Sequence, residues 1–479
     1  MRNRLLIILA VLLLTACTVG PDYARPPADA PSAWTVSPET AAGLADTAWW
    51  ERFDDPVRTA LVRTALNENL DLLAAAARVD EFLGRLQTTR AEFFPQIGAG
   101  AGASRQDDTE TGLQSGDNGP YNYYQGTLTA SWEIDLWGRI RRANEAARAE
   151  LVATEEGRRA VLLSLTANTA SSYLVLRGLD RQLEIARKTA EAYADSLQLF
   201  RLRHQYGTVS QVEVSQVESQ YELARQAIPR IEAAVARQEN LLSVLLGRNP
   251  GPIPRGKTID ELAIPGIPAG LPSELLERRP DIVQAEQLLI AANARIGVAR
   301  ALYFPRLSLT GAFGTASIHS DQLLEGPSEV WQIGGDVLAP IFTFGAIEGQ
   351  VKASEARQRQ ALFSYRQAIL NAFREVENAL VDTTRGREQL ASQTRREMAL
   401  TTYARLSLEQ YEGGTTSYLQ VLDANRELFS GQLDRVQTQT DTFIALVDVY
   451  RAMGGGWVDV ADRYTAGKGQ ADKPPQVSN

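Results

Sequence analysis

The stretch Leu271–Gly311, LPSELLERRPDIVQAEQLLIAANARIGVARALYFPRLSLTG, decides the fold. Its apolar positions Ile282, Ala285, Leu289, Ala292, Ile296 and Ala299 recur at steps of three and four, the spacing of one helix face. Beyond Phe304-Pro305 the period drops to two, with Leu307, Leu309 and Gly311 alternating with Ser308 and Thr310, so a helix feeds a strand at Pro305. The same arrangement stands earlier, in NLDLLAAAARVDEFLGRLQTTRAEFFPQIGAGAG at Asn69–Gly102. Asp71, Ala75, Arg90, Ala91, Phe94 and Pro95 there match Asp281, Ala285, Arg300, Ala301, Phe304 and Pro305, at a constant offset of 305 − 95 = 210. In a chain of 479 residues this is an internal duplication, which favours one continuous body over several unrelated domains.

The N-terminus reads as an export signal. Residues 1–16 carry Arg2 and Arg4, then the apolar run Leu5–Leu14, too short to span a bilayer. Cys17 is the only cysteine and falls where cleavage is expected, so no disulfide can form within one chain. Loss of residues 1–16, with two arginines and no acid, moves the formal charge from −9 to −9 − 2 = −11, an acidic balance that argues against nucleic acid. Past the signal no apolar run approaches the length of a spanning helix. A chain of this kind can cross a membrane only as a closed barrel, in which every backbone group finds a partner.

The two halves share one plan. Residues 17–55, rich in Pro and Ala and holding Trp34, Trp49 and Trp50, read as an extended leader. The first repeat, 56–246, comprises one helix over about Pro56–Phe93, a β-hairpin at 95–135 and a long helical hairpin at 139–246. A Pro- and Gly-rich connector at 247–271 follows. The second repeat, 272–453, has its β-hairpin at 305–344, with a last strand over Val330–Phe344, and its helical hairpin at 346–453. A tail at 454–479 closes the chain. Each long helix runs without proline for about 65 residues, roughly 100 Å at 1.5 Å per residue. Leu183, Ala186, Ala190, Tyr193, Leu197, Phe200 and His204 form a coiled-coil seam, answered after the turn by Val214, Val217, Tyr221, Ala224, Ile228, Ile231 and Val235. The second hairpin has a weaker seam on Leu390, Leu400, Ala404 and Tyr411, then Val421, Ala424 and Leu428. Pro229 is expected to kink the first return helix.

Strand count decides the assembly. A barrel needs about eight strands to close and more to hold a lumen, whereas this chain offers four. Three copies would contribute twelve, a pore continued by long helices. In the second strand Leu128, Ala130, Trp132 and Ile134 alternate with Thr127, Thr129, Ser131 and Glu133, as a wall between lipid and water requires.

Several segments resemble the TolC-like outer-membrane efflux factors, in their lipoprotein branch. They are Glu277-Arg278-Arg279-Pro280-Asp281-Ile282, Ala291-Ala292-Asn293-Ala294, Ile296-Gly297-Val298-Ala299-Arg300-Ala301, Phe304–Thr310, Trp132–Gly138 and Tyr418–Ala424. The resemblance covers almost the whole mature chain. It implies an α+β membrane protein, a homotrimer with a twelve-stranded barrel in outer-membrane lipid and a coiled-coil α-helical tunnel reaching into the periplasm. It also implies a periplasmic adaptor and an inner-membrane pump of the RND type as partners. Leu14-Thr15-Ala16-Cys17 resembles the bacterial lipobox, in which the Cys is acylated, and Thr18 after it favours delivery to the outer membrane. A type I secretion duct or a surface-anchored coiled-coil scaffold are the alternatives.

By the same resemblance Tyr411, Asp423 and Arg426 belong to a gate at the periplasmic end, with the aspartate facing the lumen. Three such acids at a threefold axis would make a cation-attracting ring. Gln420 stands where some relatives carry a second acid. On its own, the Asp423–Arg426 spacing reads as an ordinary helix pair at i, i+3. Gly207-Thr208-Val209-Ser210 and Gly414-Thr415-Thr416-Ser417 are matched hairpin tips, resembling those on which adaptors dock; locally Gly permits the turn and Ser caps the return helix. Gly251–Thr258 matches a phosphate-loop pattern but holds two prolines and follows a helix, which disqualifies it as a cradle of backbone N–H groups. His204 and His319, the two histidines, lie far apart with no metal-site context, so neither a cofactor nor a catalytic reaction is expected.

Overall fold

Two helix-to-strand junctions set the architecture. The computed structural model describes residues 18–27, 31, 33–34, 48–107, 119–263, 275–454 and 458–462. The signal peptide at 1–16, Cys17, part of the leader and connector, and the tail beyond 462 lie outside the described residues. The main elements, beside short helical turns such as Leu275–Arg278, are helices α1 (Pro56–Glu68) and α2 (Leu70–Ala91), strands β1 (Gln96–Gln106) and β2 (Tyr121–Ile134), helices α3 (Arg139–Gln205), α4 (Gln211–Leu245) and α5 (Pro280–Ala301), strands β3 (Arg306–Ser317) and β4 (Glu329–Leu338), and helices α6 (Ala346–Glu412) and α7 (Tyr418–Met453). Helices α2 and α5 are each 22 residues long and begin 210 residues apart, while α3 and α6 are each 67 residues long and begin 207 apart. The change of offset falls inside the β-hairpins. Gln96 pairs with Ser131 and Arg306 with Leu338, so the first strands keep 210 and the second strands have moved to 207. The second hairpin is three residues shorter between its strands, where a change of length disturbs no ladder.

The chain forms two compact units: one from Met1–Pro27, Arg78–Glu155 and Gln284–Arg366, the other from Ala28–Ala77, Glu156–Val283 and Gln367–Asn479. The first holds the sheet, four antiparallel strands in the order β1-β2-β3-β4. Beneath it α3 and α5 meet on the small side chains Ala146, Ala149, Ala291 and Ala294, which let two backbones approach closely. In the second unit, Ala190, Tyr193, Leu197 and Phe200 of α3, Val214, Val217 and Ala224 of α4, and Tyr418, Val421 and Leu422 of α7 make one core cluster. Phe200 is 2% exposed, and burial of such a ring is worth about 1.5–3 kcal/mol. Trp49 and Trp50 are fully buried there, with Trp49 stacked on Tyr450 at 5.2 Å.

Three local expectations need correction. The helix expected over Pro56–Phe93 is two helices, because Asn69 is extended (ψ 127) and its side-chain oxygen accepts from Leu72 N at 3.0 Å, ending one helix and capping the next. Strand β4 stops at Leu338 rather than Phe344, since Pro340 has no N–H to give a ladder. His204 leaves the seam and is exposed, its Nδ1 within 3.0 Å of the Val209 carbonyl oxygen at the turn. Helix α4 runs unbroken through Pro229.

Both repeats close in the same way. Asn69 donates from its amide to Leu245 O at 3.0 Å, at the end of α4, and Arg279, its counterpart 210 residues on, donates to Ala452 O at 2.9 Å, at the end of α7. The helices end on Gly247 (φ 69) and Gly454 (φ 56), left-handed positions that terminate a helix without strain only in glycine. A Cβ on Gly247 would lie 2.1 Å from Glu68 O, and one on Gly454 2.7 Å from Arg279 Cγ.

Candidate functional site

Directly opposed residues of an antiparallel sheet share a face, so the register assigns sides. Ala99, Leu128, Phe313 and Trp331 form one row across all four strands, and Ile97, Ala130, Gly311 and Ile333 form the next on the same face. Ile134, Leu307 and Val337 continue it. The other face carries Thr129, Gln332, Ser131, Thr310, Ser308 and Asp336. Within one chain the apolar face is bare: Trp331 is 72% exposed, Ile333 82% and Val337 69%. Water would penalise so large a contiguous apolar patch, whereas hydrocarbon does not. Strands of 10 to 14 residues suffice to cross a bilayer at a tilt, and no helix among the described residues is long and apolar enough to do so.

The described chain begins at the foot of this sheet. Val19 N donates to Trp137 O at 3.0 Å, beside the end of β2. Asn293 of α5 donates to Pro21 O at 2.9 Å, Arg142 of α3 to Asp22 at 2.6 Å, and Tyr23 to Glu286 of α5 at 3.0 Å. Arg25 also holds Glu286. Gly20 (φ 109) and Gly297 touch so closely that a Cβ on the former would lie 2.4 Å from the Cα of the latter. Segment 18–25 is thus a strap laid along α3 and α5, none of which periodicity could have revealed.

The hairpin tips are duplicates to the level of single hydrogen bonds. Gly207 (φ 70) and Gly414 (φ 72) make the turns, Thr208 N donates to Arg203 O at 3.0 Å and Thr415 N to Gln410 O at 2.9 Å, and each threonine hydroxyl donates to the same carbonyl. They differ at the return. Ser210 and Glu213 form a reciprocal capping box, whereas Ser417 makes no side-chain cap: Gln420 N donates to the Ser417 carbonyl oxygen, and the Gln420 side chain accepts from the Thr416 hydroxyl. Tyr206, Val212 and Leu419 are exposed beside these turns.

The three residues singled out for a gate fall into two places. Arg426 donates to Asp423 at 2.7 Å on the exposed face of α7, with about half of each side chain in solvent. Together they line a groove of about 480 Å³ with Gln211, Gln216 and Gln220 of α4. Tyr411 belongs to the seam: it lies edge-on to Tyr418 at 5.0 Å, and its hydroxyl accepts from Arg203 of α3 at 3.1 Å. Arg203 was missed by sequence reasoning, and its only signal was its place one turn after Phe200. Burial pushes the Tyr193 hydroxyl up to about 12, with Arg426 pulling the other way, so this core lies close beneath the exposed pair.

The phosphate-loop lookalike is occupied by the fold itself. Gly256 N donates to the Tyr173 hydroxyl at 2.8 Å, Tyr173 donates to Asp55 at 3.1 Å, and a Cβ on Gly256 would collide with Asp55. Arg279 and Asp281, from the ERRPD run, are joined at 2.7 Å, and Arg279 also reaches Glu375 of α6 at 2.8 Å. Burial opposes the Arg279 charge, yet the two carboxylates leave it above its ordinary value. The motif therefore clamps the start of α5 to α6 and to the end of α7.

A sheet apolar on one side and polar on the other, with two open edges and paired helical hairpins of 67 and about 35 residues, defines the wall of an outer-membrane export channel. The chain belongs to the outer membrane efflux protein family, whose model matches residues 61–248 and 271–455. It is 35% identical over 475 residues to the toluene efflux pump outer membrane protein TtgF of Pseudomonas putida, spanning 97% of this chain and 99% of that one. It is 34% identical over 462 residues to the cation efflux system protein CusC of Escherichia coli, spanning 95% and 99%. The solved structure of the Campylobacter jejuni CmeC outer membrane channel superposes with a TM-score of 0.87 at 25% identity, over 92% of this chain and 95% of that one. The fold is the α+β barrel-and-tunnel fold of the trimeric outer-membrane channels, and the chain is the outer-membrane component of an efflux system.

Proposed function

We propose that three copies close a twelve-stranded barrel that exports drugs or other small toxic compounds, with no reaction of its own, to the outside. The observation that carries this is the sheet, which among the described residues has four strands, an exposed apolar face and two unpaired edges. Unpaired edge groups in lipid cost several kcal/mol each, and only closure with other copies removes both edges. The tips Gly207–Ser210 and Gly414–Ser417 receive a periplasmic adaptor, which links the channel to an inner-membrane RND-type pump that selects the substrate. The adaptor reading is supported by the duplicated turn geometry, which offers one partner surface twice per chain. Asp423 and Arg426, exposed on α7, bond to neighbouring copies when the periplasmic end is shut, and Tyr411 and Arg203 hold the seam behind them. Acyl chains on Cys17 enter the membrane one residue before Thr18, which abuts Gly138 at the foot of the sheet. Native mass spectrometry in mild detergent, followed by planar-bilayer conductance, tests the reading. A folded monomer, or a trimer that carries no current even in its gate variants, would overturn it.

A further inference from the structure

The two repeats differ in charge at one matched place. In the second repeat Arg300, at the end of α5, pairs with Glu355 of α6 at 2.8 Å. Moving back by 210 residues in the helix before the strand, and by 207 in the helix after the hairpin, gives Arg90 at the end of α2 and Arg148 of α3. An arginine thus stands where the ion pair needs a carboxylate. Both side chains are exposed, and neither has a partner among the described residues. Two cations at the positions of an ion pair repel unless an anion is shared between them.

Arg90 and Arg148 line one groove of about 580 Å³ with Phe93, Phe94, Val152 and Ile290. The other charges there are already matched, Arg141 to Asp135 and Glu145 to Arg142. The groove opens on the lipid side of the sheet. Arg139, the first residue of α3, bonds Glu133, which faces Ser308 on the polar side. Arg141, Arg148 and Val152 follow it by 2, 9 and 13 residues, which at about 100° per residue puts all three on the far side of the helix. Trp132, on the apolar face, donates from Nε1 to Phe93 O at 3.0 Å, where α2 has just ended.

We propose that Arg90 and Arg148 grip the phosphate of an anionic phospholipid from the periplasmic leaflet of the outer membrane, whose acyl chain lies along Phe93, Phe94, Val152 and Ile290. An apolar trough with two unmatched cations, continuous with the bare face of the sheet, fits an anion that carries hydrocarbon with it. Arginine suits the role because its planar fork donates parallel bonds to phosphate oxygens. The first repeat then seats a lipid where the second is closed by its own ion pair, one site per chain. This rests on the outer-membrane placement of the sheet and not on how many copies close the barrel.

Native mass spectrometry of the full protein, supplied with phosphatidylglycerol or with phosphatidylcholine of the same chains, counts the lipids that each chain retains. The parent is expected to retain phosphatidylglycerol roughly tenfold more, the scale of one charge-assisted contact. Arg148→Glu rebuilds in the first repeat the ion pair of the second; it should lose that preference and, in lipid-free detergent, melt at or above the temperature of the parent. Arg90→Gln should lose the preference as well, and phosphatidylglycerol should raise the melting temperature of the parent alone. No preference in the parent, or an undiminished one in Arg148→Glu, overturns the proposal. Equal protection by inorganic phosphate would show a site for the ion only, and an Arg148→Glu protein that melts well below the parent would show that Arg148 already holds a carboxylate of a neighbouring copy; either result overturns the lipid assignment.

Discussion

Removing the polar contacts at the tip of α7 should open the channel without unfolding it. Within one chain the Asp423–Arg426 bond of 2.7 Å is half in solvent, and such i, i+3 pairs are worth about 0.3–0.5 kcal/mol. Arg426→Ser with Tyr411→Phe should therefore barely change the stability of the folded chain, since Tyr411→Phe keeps the ring against Tyr418 and loses only the Arg203 bond. In the proposed closed state the same groups bond between copies and weigh more. One charge-assisted bond of about 1.5 kcal/mol lost at each of three interfaces gives about 4.5 kcal/mol, or about three powers of ten in the ratio of open to closed, at about 1.4 kcal/mol per tenfold. Only a difference between the two states can move that ratio. The assay is single-channel conductance in a planar bilayer, paired with the sensitivity of cells to antibiotics too large for the closed pore. An Arg203→Gln control separates the loss of the seam bond from the loss of the gate. A double variant that assembles, melts as the parent does and conducts like it would refute the reasoning and place the constriction elsewhere, with the seam at Leu197 and Phe200 next to be examined.

Glycine substitutions should divide by geometry. Gly247→Ala meets Glu68 O in a left-handed turn and should destabilise by about 1–3 kcal/mol, while Gly84→Ala, inside α2 with open space around its Cβ, should stabilise by about 0.5–1 kcal/mol, both read as shifts in melting temperature. Asn69→Ala removes a cap and the bond to Leu245 O and should cost about 1–2 kcal/mol, with faster amide exchange at the α1–α2 break as the local signature. Burial raises the Asp448 carboxyl above its ordinary value, with Arg451 opposing and Asp382 and Glu375 adding to the rise. Its folded form then binds a proton more tightly than its unfolded form, so its contribution is favourable below the unfolded value of about 3.9 and is lost as pH climbs through the raised folded value. Asp448→Asn should flatten the melting temperature across that window, and an unchanged slope would count against it. Cys17→Ser should abolish labelling by palmitate yet leave the trimer in outer-membrane fractions, because the exposed apolar face of the sheet supplies its own membrane affinity.

What the sequence determined alone was local and periodic. The helix-to-strand change at Pro95 and at Pro305, the seam of the first helical hairpin apart from His204, the matched turns at Gly207 and Gly414 and the amphipathic alternation from Leu128 to Ile134 all arise from neighbours within a few residues, where spacing dictates which side a group faces. The duplication was legible for the same reason, as was the need for more strands than one chain owns. Tertiary structure decided what depends on groups distant in the chain. It joined β2 to β3, brought Arg203 to Tyr411, laid Thr18–Arg25 along α3 and α5, and set Asn69 against Leu245, where an amide that reads as mid-helix polarity breaks the helix instead. Long-range contacts of this kind leave no period in the sequence, because a hydrogen bond needs only one donor and one acceptor at the right place. Asp423 and Arg426 show the boundary between the two: their spacing ensures that they meet on one face of α7, and only the packing of helix pairs decides whether that face is solvent or a closed pore.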